Sequence, residues 1–80
     1  LLLESVAEVL TQAGHRVTPA EGGAAGIRLF GAALATQPFQ AVITDLGMPD
    51  VDGRQVARRV RELSPATPVI MLTGWGRRMQ

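Results

Sequence analysis

The chain has 80 residues, of which 46% are hydrophobic and 19% charged, and its formal net charge at pH 7 is +1. This composition predicts one soluble domain, and eight basic residues against seven acidic ones give no reason to expect direct nucleic-acid binding. The absence of cysteine excludes disulfides and thiolate sites and is compatible with a cytoplasmic location. The opening run of three leucines is too short for a membrane span or a signal peptide, so no membrane partner is expected.

The first half of the chain predicts two helices with a short strand between them. The opening residues form an amphipathic helix, with Gly14 suited to its C-terminal cap and one apolar stripe (Leu3, Val6, Leu10 and Ala13). Residues 16–20 predict a strand, in which Pro19 favours an edge position. A second helix is expected from about residue 24 to 36, weakened by Gly26 and Gly31 and therefore dependent on packing against a sheet.

The most informative segment is 41–53, where an apolar run ends at a single carboxylate. Residues 41–44 are apolar or β-branched, as expected of a parallel strand covered on both faces, and Asp45 follows directly. Pro49 and Gly53 then predict a turn, in which Gly53 can take a positive φ. Because functional groups in open α/β sheets gather at the carboxyl ends of the strands, Asp45 is the first candidate functional residue.

A second apolar run, residues 68–72, ends at Thr73, which lies 28 positions after Asp45. That spacing suits a strand, a crossover helix and a parallel strand. The helix between them is expected to be amphipathic and to end before Pro65. It has apolar residues on one face (Val56, Val60 and Leu63) and arginines on the other (Arg54, Arg58 and Arg61). Two acidic residues precede its start (Asp50 and Asp52). Adjacent parallel strands lie about 4.8 Å apart, so the Asp45 carboxylate and the Thr73 hydroxyl can address one small ligand.

These features resemble the receiver domain of two-component response regulators. The resemblance is carried by Thr-Asp-Leu-Gly-Met-Pro at 44–49, Asp-Gly at 52–53 and Leu-Thr-Gly at 72–74, and it covers essentially the whole chain. The sequence of residues 72–76 is also similar to that of receivers attached to hybrid sensor histidine kinases. The resemblance implies an α/β fold, a flavodoxin-like doubly wound parallel sheet with strand order 2-1-3-4-5.

The same resemblance implies roles for individual residues. Asp45 is expected to be the phosphoacceptor, Thr73 the switch hydroxyl, and Asp45 with the backbone carbonyl of Gly47 ligands of Mg²⁺. The expected partners are a histidine kinase or phosphotransfer domain and an output domain or downstream protein, with a homodimer left open. The domain is then no enzyme, although it assists its own phosphorylation and dephosphorylation and its parent could be a hybrid kinase.

The chain also departs from the receiver pattern. The acidic pair expected after a first strand and the lysine expected after a fifth strand are absent from the sequence. Residues 1–80 are therefore interpreted as a partial receiver domain, running from the first helix to the start of the fourth and lacking the first strand. In the order 2-1-3-4-5 that strand is the central one.

Two alternatives remain at this stage. The chain could be a pseudo-receiver, a protein-interaction module without phosphorylation, or an unrelated doubly wound domain that uses Asp45 to bind a substrate. Nucleotide binding at the glycine-rich residues 22–26 is excluded, because a dinucleotide fingerprint would need glycine at Glu21 and the chain has no lysine for a phosphate loop. A calcium loop around Gly53 is excluded too, since Met48 and Arg59 would stand where carboxylates are required.

Overall fold

The computed structural model describes residues 2–47 and 51–72. Those residues form three helices and two strands, in the order α1 (Leu2–Gln12), α2 (Gly23–Ala33), β1 (Val42–Asp45), α3 (Gly53–Leu63) and β2 (Val69–Leu72). No helix in this part of the chain is long and apolar enough to cross a membrane.

The two strands are parallel neighbours, as their common pattern predicts. Val42 lies opposite Val69 and Asp45 opposite Leu72, and the Val42 N–H donates to the carbonyl of Pro68 at 3.0 Å. The helix α3 connects the two strands and packs on both of them. The predicted strand, crossover helix and parallel strand are therefore confirmed.

The core lies between the sheet and the helices α2 and α3. Its buried centre is Phe30, Val56 and Val60, and the partly buried side chains around it come from both helices, both strands and the connecting segments (Ile27, Leu34, Phe39, Val42, Val51, Leu63 and Val69). Because side chains alternate along a strand, Ile70 points to the face opposite Val69, where it is 49% exposed. That face of β2 is therefore only partly covered by the described residues.

The helix α3 begins where its sequence places a cap. Asp52 accepts a hydrogen bond from the Gln55 N–H at 3.0 Å, and the Gln55 side chain accepts one from the Asp52 N–H at 3.0 Å, which is a complete capping box. The assignment of Asp52 to the helix N-terminus is confirmed. The helix ends at Leu63, before Pro65, and its arginine face is solvent-exposed as predicted.

The helix α1 ends as its glycine predicts. Gly14 has φ +99°, its N–H donates to the carbonyl of Thr11 at 3.1 Å, and the His15 N–H donates to that of Leu10 at 3.0 Å. This pair of hydrogen bonds is a Schellman motif, which places Gly14 in the left-handed region.

Two expectations for the first half of the chain are wrong. Residues 16–20 form no strand, because a strand needs a backbone partner and the described sheet consists of β1 and β2 alone. The helix α2 stops at Ala33, three residues short of the expected end. Beyond it the Thr36 N–H donates to the carbonyl of Ala33 at 3.1 Å, a tight three-residue turn that replaces the α-helical pattern.

Candidate functional site

Asp45 is the last residue of β1 and is half-buried at the carboxyl edge of the sheet. Thr44 before it is only 4% exposed, and its hydroxyl donates to the backbone carbonyl of Asp45 at 3.0 Å. Among the described residues, the Asp45 carboxylate has no hydrogen-bond or ion-pair partner. The end of β1 thus presents a carboxylate to which no other described residue is bound.

The chain immediately after Asp45 is fixed by backbone hydrogen bonds to two elements. The Leu46 N–H donates to the carbonyl of Leu72 at 3.1 Å, and the Leu46 carbonyl accepts from the Gly53 N–H at 3.0 Å. The end of β1 is thus tied both to the end of β2 and to the first residue of α3. Sequence reasoning missed these bonds, which depend on the tertiary arrangement of three segments.

Gly53 is buried, and its importance differs from the expected one. A positive φ was expected, but the only described glycine with a positive φ is Gly14. A Cβ at Gly53 would overlap the carbonyl oxygen of Asp45 and lie 3.0 Å from the Cα of Leu46. Glycine is needed at this position because the backbone of α3 approaches the backbone of the candidate site closely.

Gly47 is exposed, and nothing lies within 4 Å of the position that a Cβ would take there. A carboxylate and a backbone carbonyl two residues apart are oxygen ligands of the kind that Mg²⁺ binds, with water and phosphoryl oxygens filling the octahedral shell. Within the described ranges, no group of three or more His, Cys, Asp or Glu residues comes together. Asp45 and Gly47 supply two oxygen donors of this kind at the carboxyl edge of the sheet.

Several predicted features lie outside the described residues: Met48, Pro49, Asp50, Thr73 and Gly74. Leu72, the residue that precedes Thr73 in the sequence, is the register partner of Asp45. Two surface grooves of about 450 and 300 Å³ run along α3, and Asp45 lines neither of them.

A parallel sheet with helices packed against it is an α/β arrangement, and open sheets of this class bind their ligands at the carboxyl ends of the strands, where Asp45 lies. The sequence model of the response regulator receiver domain matches residues 1–80. The chain therefore belongs to the response regulator receiver domain family, whose fold is flavodoxin-like and whose members act in two-component signalling.

The chain is similar to several curated proteins. It is 37% identical over 75 residues to the transcriptional regulatory protein GlrR of Escherichia coli (strain K12), an alignment that covers 94% of this chain and 16% of GlrR. It is 34% identical over 68 residues to the response regulator receiver protein CpdR of Brucella abortus (strain 2308), covering 85% of this chain and 53% of CpdR. It is 38% identical over 64 residues to the transcriptional regulatory protein AfsQ1 of Streptomyces coelicolor, covering 80% of this chain and 26% of AfsQ1.

The chain thus spans about half or less of the length of these relatives. No solved structure matches it significantly.

Proposed function

We propose that this domain accepts a phosphoryl group on Asp45 from a histidine kinase or a phosphotransfer domain. The observation that carries the proposal is the position of Asp45: it ends a strand at the carboxyl edge of a parallel sheet, and its carboxylate has no partner among the described residues. Membership of the receiver family supports the same role. The domain is then a phosphoacceptor that assists its own phosphorylation and dephosphorylation, and it is no enzyme acting on a separate substrate.

In the proposed reaction, a carboxylate oxygen of Asp45 attacks the phosphorus of a phosphohistidine. The new O–P bond forms as the P–N bond breaks, and the imidazole nitrogen retains the electron pair of that bond and takes up a proton. The product is an acyl phosphate, as in other aspartyl-phosphate systems. The chain supports the step by fixing the backbone next to the attacking group, since the Leu46 N–H is hydrogen-bonded to β2 and the Leu46 carbonyl to α3.

Mg²⁺ is the cofactor that we assign to this site, with the Asp45 carboxylate and the Gly47 carbonyl as its ligands from this segment. When bound, the ion neutralises charge on the phosphoryl oxygens and on the carboxylate that meets them. The exposure of Gly47 supports this assignment, because the remaining positions must be open to water and to the phosphoryl group.

We further propose that Thr73 is the switch residue. A threonine hydroxyl can donate a charge-assisted hydrogen bond to a phosphoryl oxygen, and the resulting movement changes a surface that a partner binds. The pairing of Asp45 with Leu72, the residue before Thr73, supports this role. The partners that bind this switched surface would be an output domain or a downstream protein in the cytoplasm, or a second copy of the domain.

The test is intact-mass measurement after incubating the full-length protein with acetyl phosphate, with and without Mg²⁺. We expect a Mg²⁺-dependent gain of one phosphoryl group in the wild type and none in Asp45→Asn, which keeps the shape of the side chain but removes the nucleophile. The matched control is Asp52→Asn: asparagine also caps helices well, so this variant loses a nearby carboxylate without losing the cap and should still be phosphorylated.

Retained labelling of Asp45→Asn would disprove the assignment of the acceptor. If the folded wild type gains no phosphoryl group, the pseudo-receiver alternative, an interaction module without phosphorylation, replaces this proposal. Labelling that is mapped to a residue other than Asp45 would likewise disprove Asp45 as the acceptor.

A further inference from the structure

Gly23 is the first residue of α2 and is buried against the segment that follows the candidate site. A Cβ built on Gly23 would overlap the carbonyl oxygen of Val51 and lie 2.8 Å from the Val51 Cβ. Most of this conflict is with backbone or with an atom next to it, which no side-chain rotation can relieve. Gly26, one turn later on the same helix, differs: the nearest atom to its Cβ position is at 3.6 Å, an ordinary contact.

Val51 matters because it stands between α2 and the start of α3. Its side chain packs against the buried core, and the next residue is Asp52, which caps α3. Gly53 then donates to Leu46 and touches the carbonyl of Asp45. A short path of contacts and covalent bonds therefore runs from Gly23 through Val51 to the backbone of Asp45.

Residues 51–53, where α3 begins, are consequently in contact with two other parts of the fold. On one side Gly53 of α3 lies against Asp45 and Leu46, and on the other side Gly23 of α2 lies against Val51. At both places a helix begins with a buried glycine, and at both the neighbouring atom is a backbone carbonyl oxygen. Residues 51–53 therefore connect the start of α2 to the backbone of Asp45 and Leu46, which directly precede Gly47, the proposed carbonyl ligand.

We infer that Gly23 is a positioning residue for phosphorylation of Asp45: its missing side chain lets α2 seat Val51, and this places Gly53 against the backbone of Asp45 and Leu46, next to the proposed ligand Gly47. This inference rests on the proposed function. It assigns a role to a glycine that makes no contact with the phosphoryl group and that sequence reasoning treats only as the start of a helix.

The experiment compares Gly23→Ala with Gly26→Ala in the full-length protein, using acetyl phosphate as donor and intact mass as the readout. Alanine at 23 must push Val51 away, and a displacement of about 1 Å near reacting groups can cost up to about 100-fold in rate, so we expect a loss of about tenfold. Alanine at 26 has room and should leave the rate unchanged. The concentration of Mg²⁺ that gives half the maximal rate should rise only in Gly23→Ala.

A destabilised variant separates positioning from simple loss of stability. Leu63→Ala removes a partly buried side chain at the far end of α3, two turns and more from Gly53. Measured at a temperature where circular dichroism shows it folded, it should keep the wild-type rate and Mg²⁺ dependence. If Gly23→Ala does not fold, Val51→Ala tests the seating of the same residue: it keeps the carbonyl oxygen and Cβ that lie nearest to Gly23 but removes the methyl groups, so Val51 packs less well against the core and the rate should fall.

The outcomes are distinguishable. A folded wild type that takes up no phosphoryl group overturns the proposed function and this inference with it. If the wild type is phosphorylated and Gly23→Ala and Gly26→Ala react at equal rates, the inference alone is overturned. If Gly23→Ala does not fold, an unchanged rate for Val51→Ala has the same meaning. An equal loss of rate in Leu63→Ala and Gly23→Ala would reduce Gly23 to a structural residue.

Discussion

Replacing Gly53 with alanine sets two opposite effects against each other, and the structure decides which prevails. Alanine favours a helix interior by about 1 kcal/mol over glycine, and less in the first turn, where Gly53 lies. Against that gain, the new methyl group would overlap the Asp45 carbonyl oxygen and lie 3.0 Å from the Cα of Leu46 and 3.2 Å from the carbonyl carbon of Asp45. All three are backbone atoms, so α3 and the end of β1 must move apart.

The cost of that movement can be worked out from the contacts. Overpacking of a dense interior costs about 1–3 kcal/mol. The hydrogen bond from the Gly53 N–H to the Leu46 carbonyl, now 3.0 Å long, would be stretched as well, at a cost of about 1 kcal/mol. After subtraction of the helix gain, we expect Gly53→Ala to lower the free energy of unfolding by about 1–3 kcal/mol.

Urea-induced unfolding followed by circular dichroism measures this quantity, and Gly31→Ala is the matched control. The Cβ position at Gly31 lies 3.8 Å from its nearest neighbour, the Cδ1 of Leu63, so alanine fits there and should be neutral or stabilising by up to about 1 kcal/mol. We also expect slower phosphorylation in Gly53→Ala. If Gly53→Ala is as stable as Gly31→Ala, the close approach of the backbone is not the reason for glycine at residue 53.

Three further predictions follow from the same structure. Asp52→Ala removes the side-chain acceptor of the capping box and should cost about 1 kcal/mol in urea unfolding, whereas Asp52→Asn should cost almost nothing; equal losses would contradict the capping role. Val60→Ala, at a side chain only 1% exposed, should cost about 2 kcal/mol in the same assay, and a loss under about 0.5 kcal/mol would show that Val60 is not central to the core. Thr73→Ala should retain phosphorylation of Asp45 by intact mass and lose the phosphorylation-dependent gain in partner affinity, and an undiminished gain would remove Thr73 from the switch.

The elements predicted with the fewest errors are those in which local pattern and tertiary role agree. The apolar runs before Asp45 and Thr73 predict parallel neighbours, and the structure pairs Val42 with Val69. The valine and leucine stripe of α3, its Asp52 cap and the proline after its end give the bounds of that helix to within a residue or two. In each case the signal lies in the residues of the element itself.

The failures share a cause, which is that the deciding partner lies elsewhere in the chain. Residues 16–20 have a strand-like composition, but composition supplies no neighbouring backbone, and the described sheet offers none beside them. Ile70 has the sequence context of a buried strand, yet it is 49% exposed because burial depends on what covers that face. The end of α2 at Ala33 is likewise set by the turn that follows it.

The glycines show most clearly what a local reading cannot supply. Gly14, Gly23 and Gly53 all lie next to a helix end, and the sequence suggests a conformational reason for Gly14 and Gly53. Only Gly14 uses its freedom of φ, whereas Gly23 and Gly53 are buried where a Cβ would strike the backbone of another segment. The atoms that such a Cβ would overlap are the carbonyl oxygens of Val51 and Asp45. The backbone geometry around Asp45 therefore depends on the N-termini of two helices as much as on the strand that ends in Asp45. Substitutions at Gly23 and Gly53 should disturb that geometry, whereas those at Gly26 and Gly31 should not.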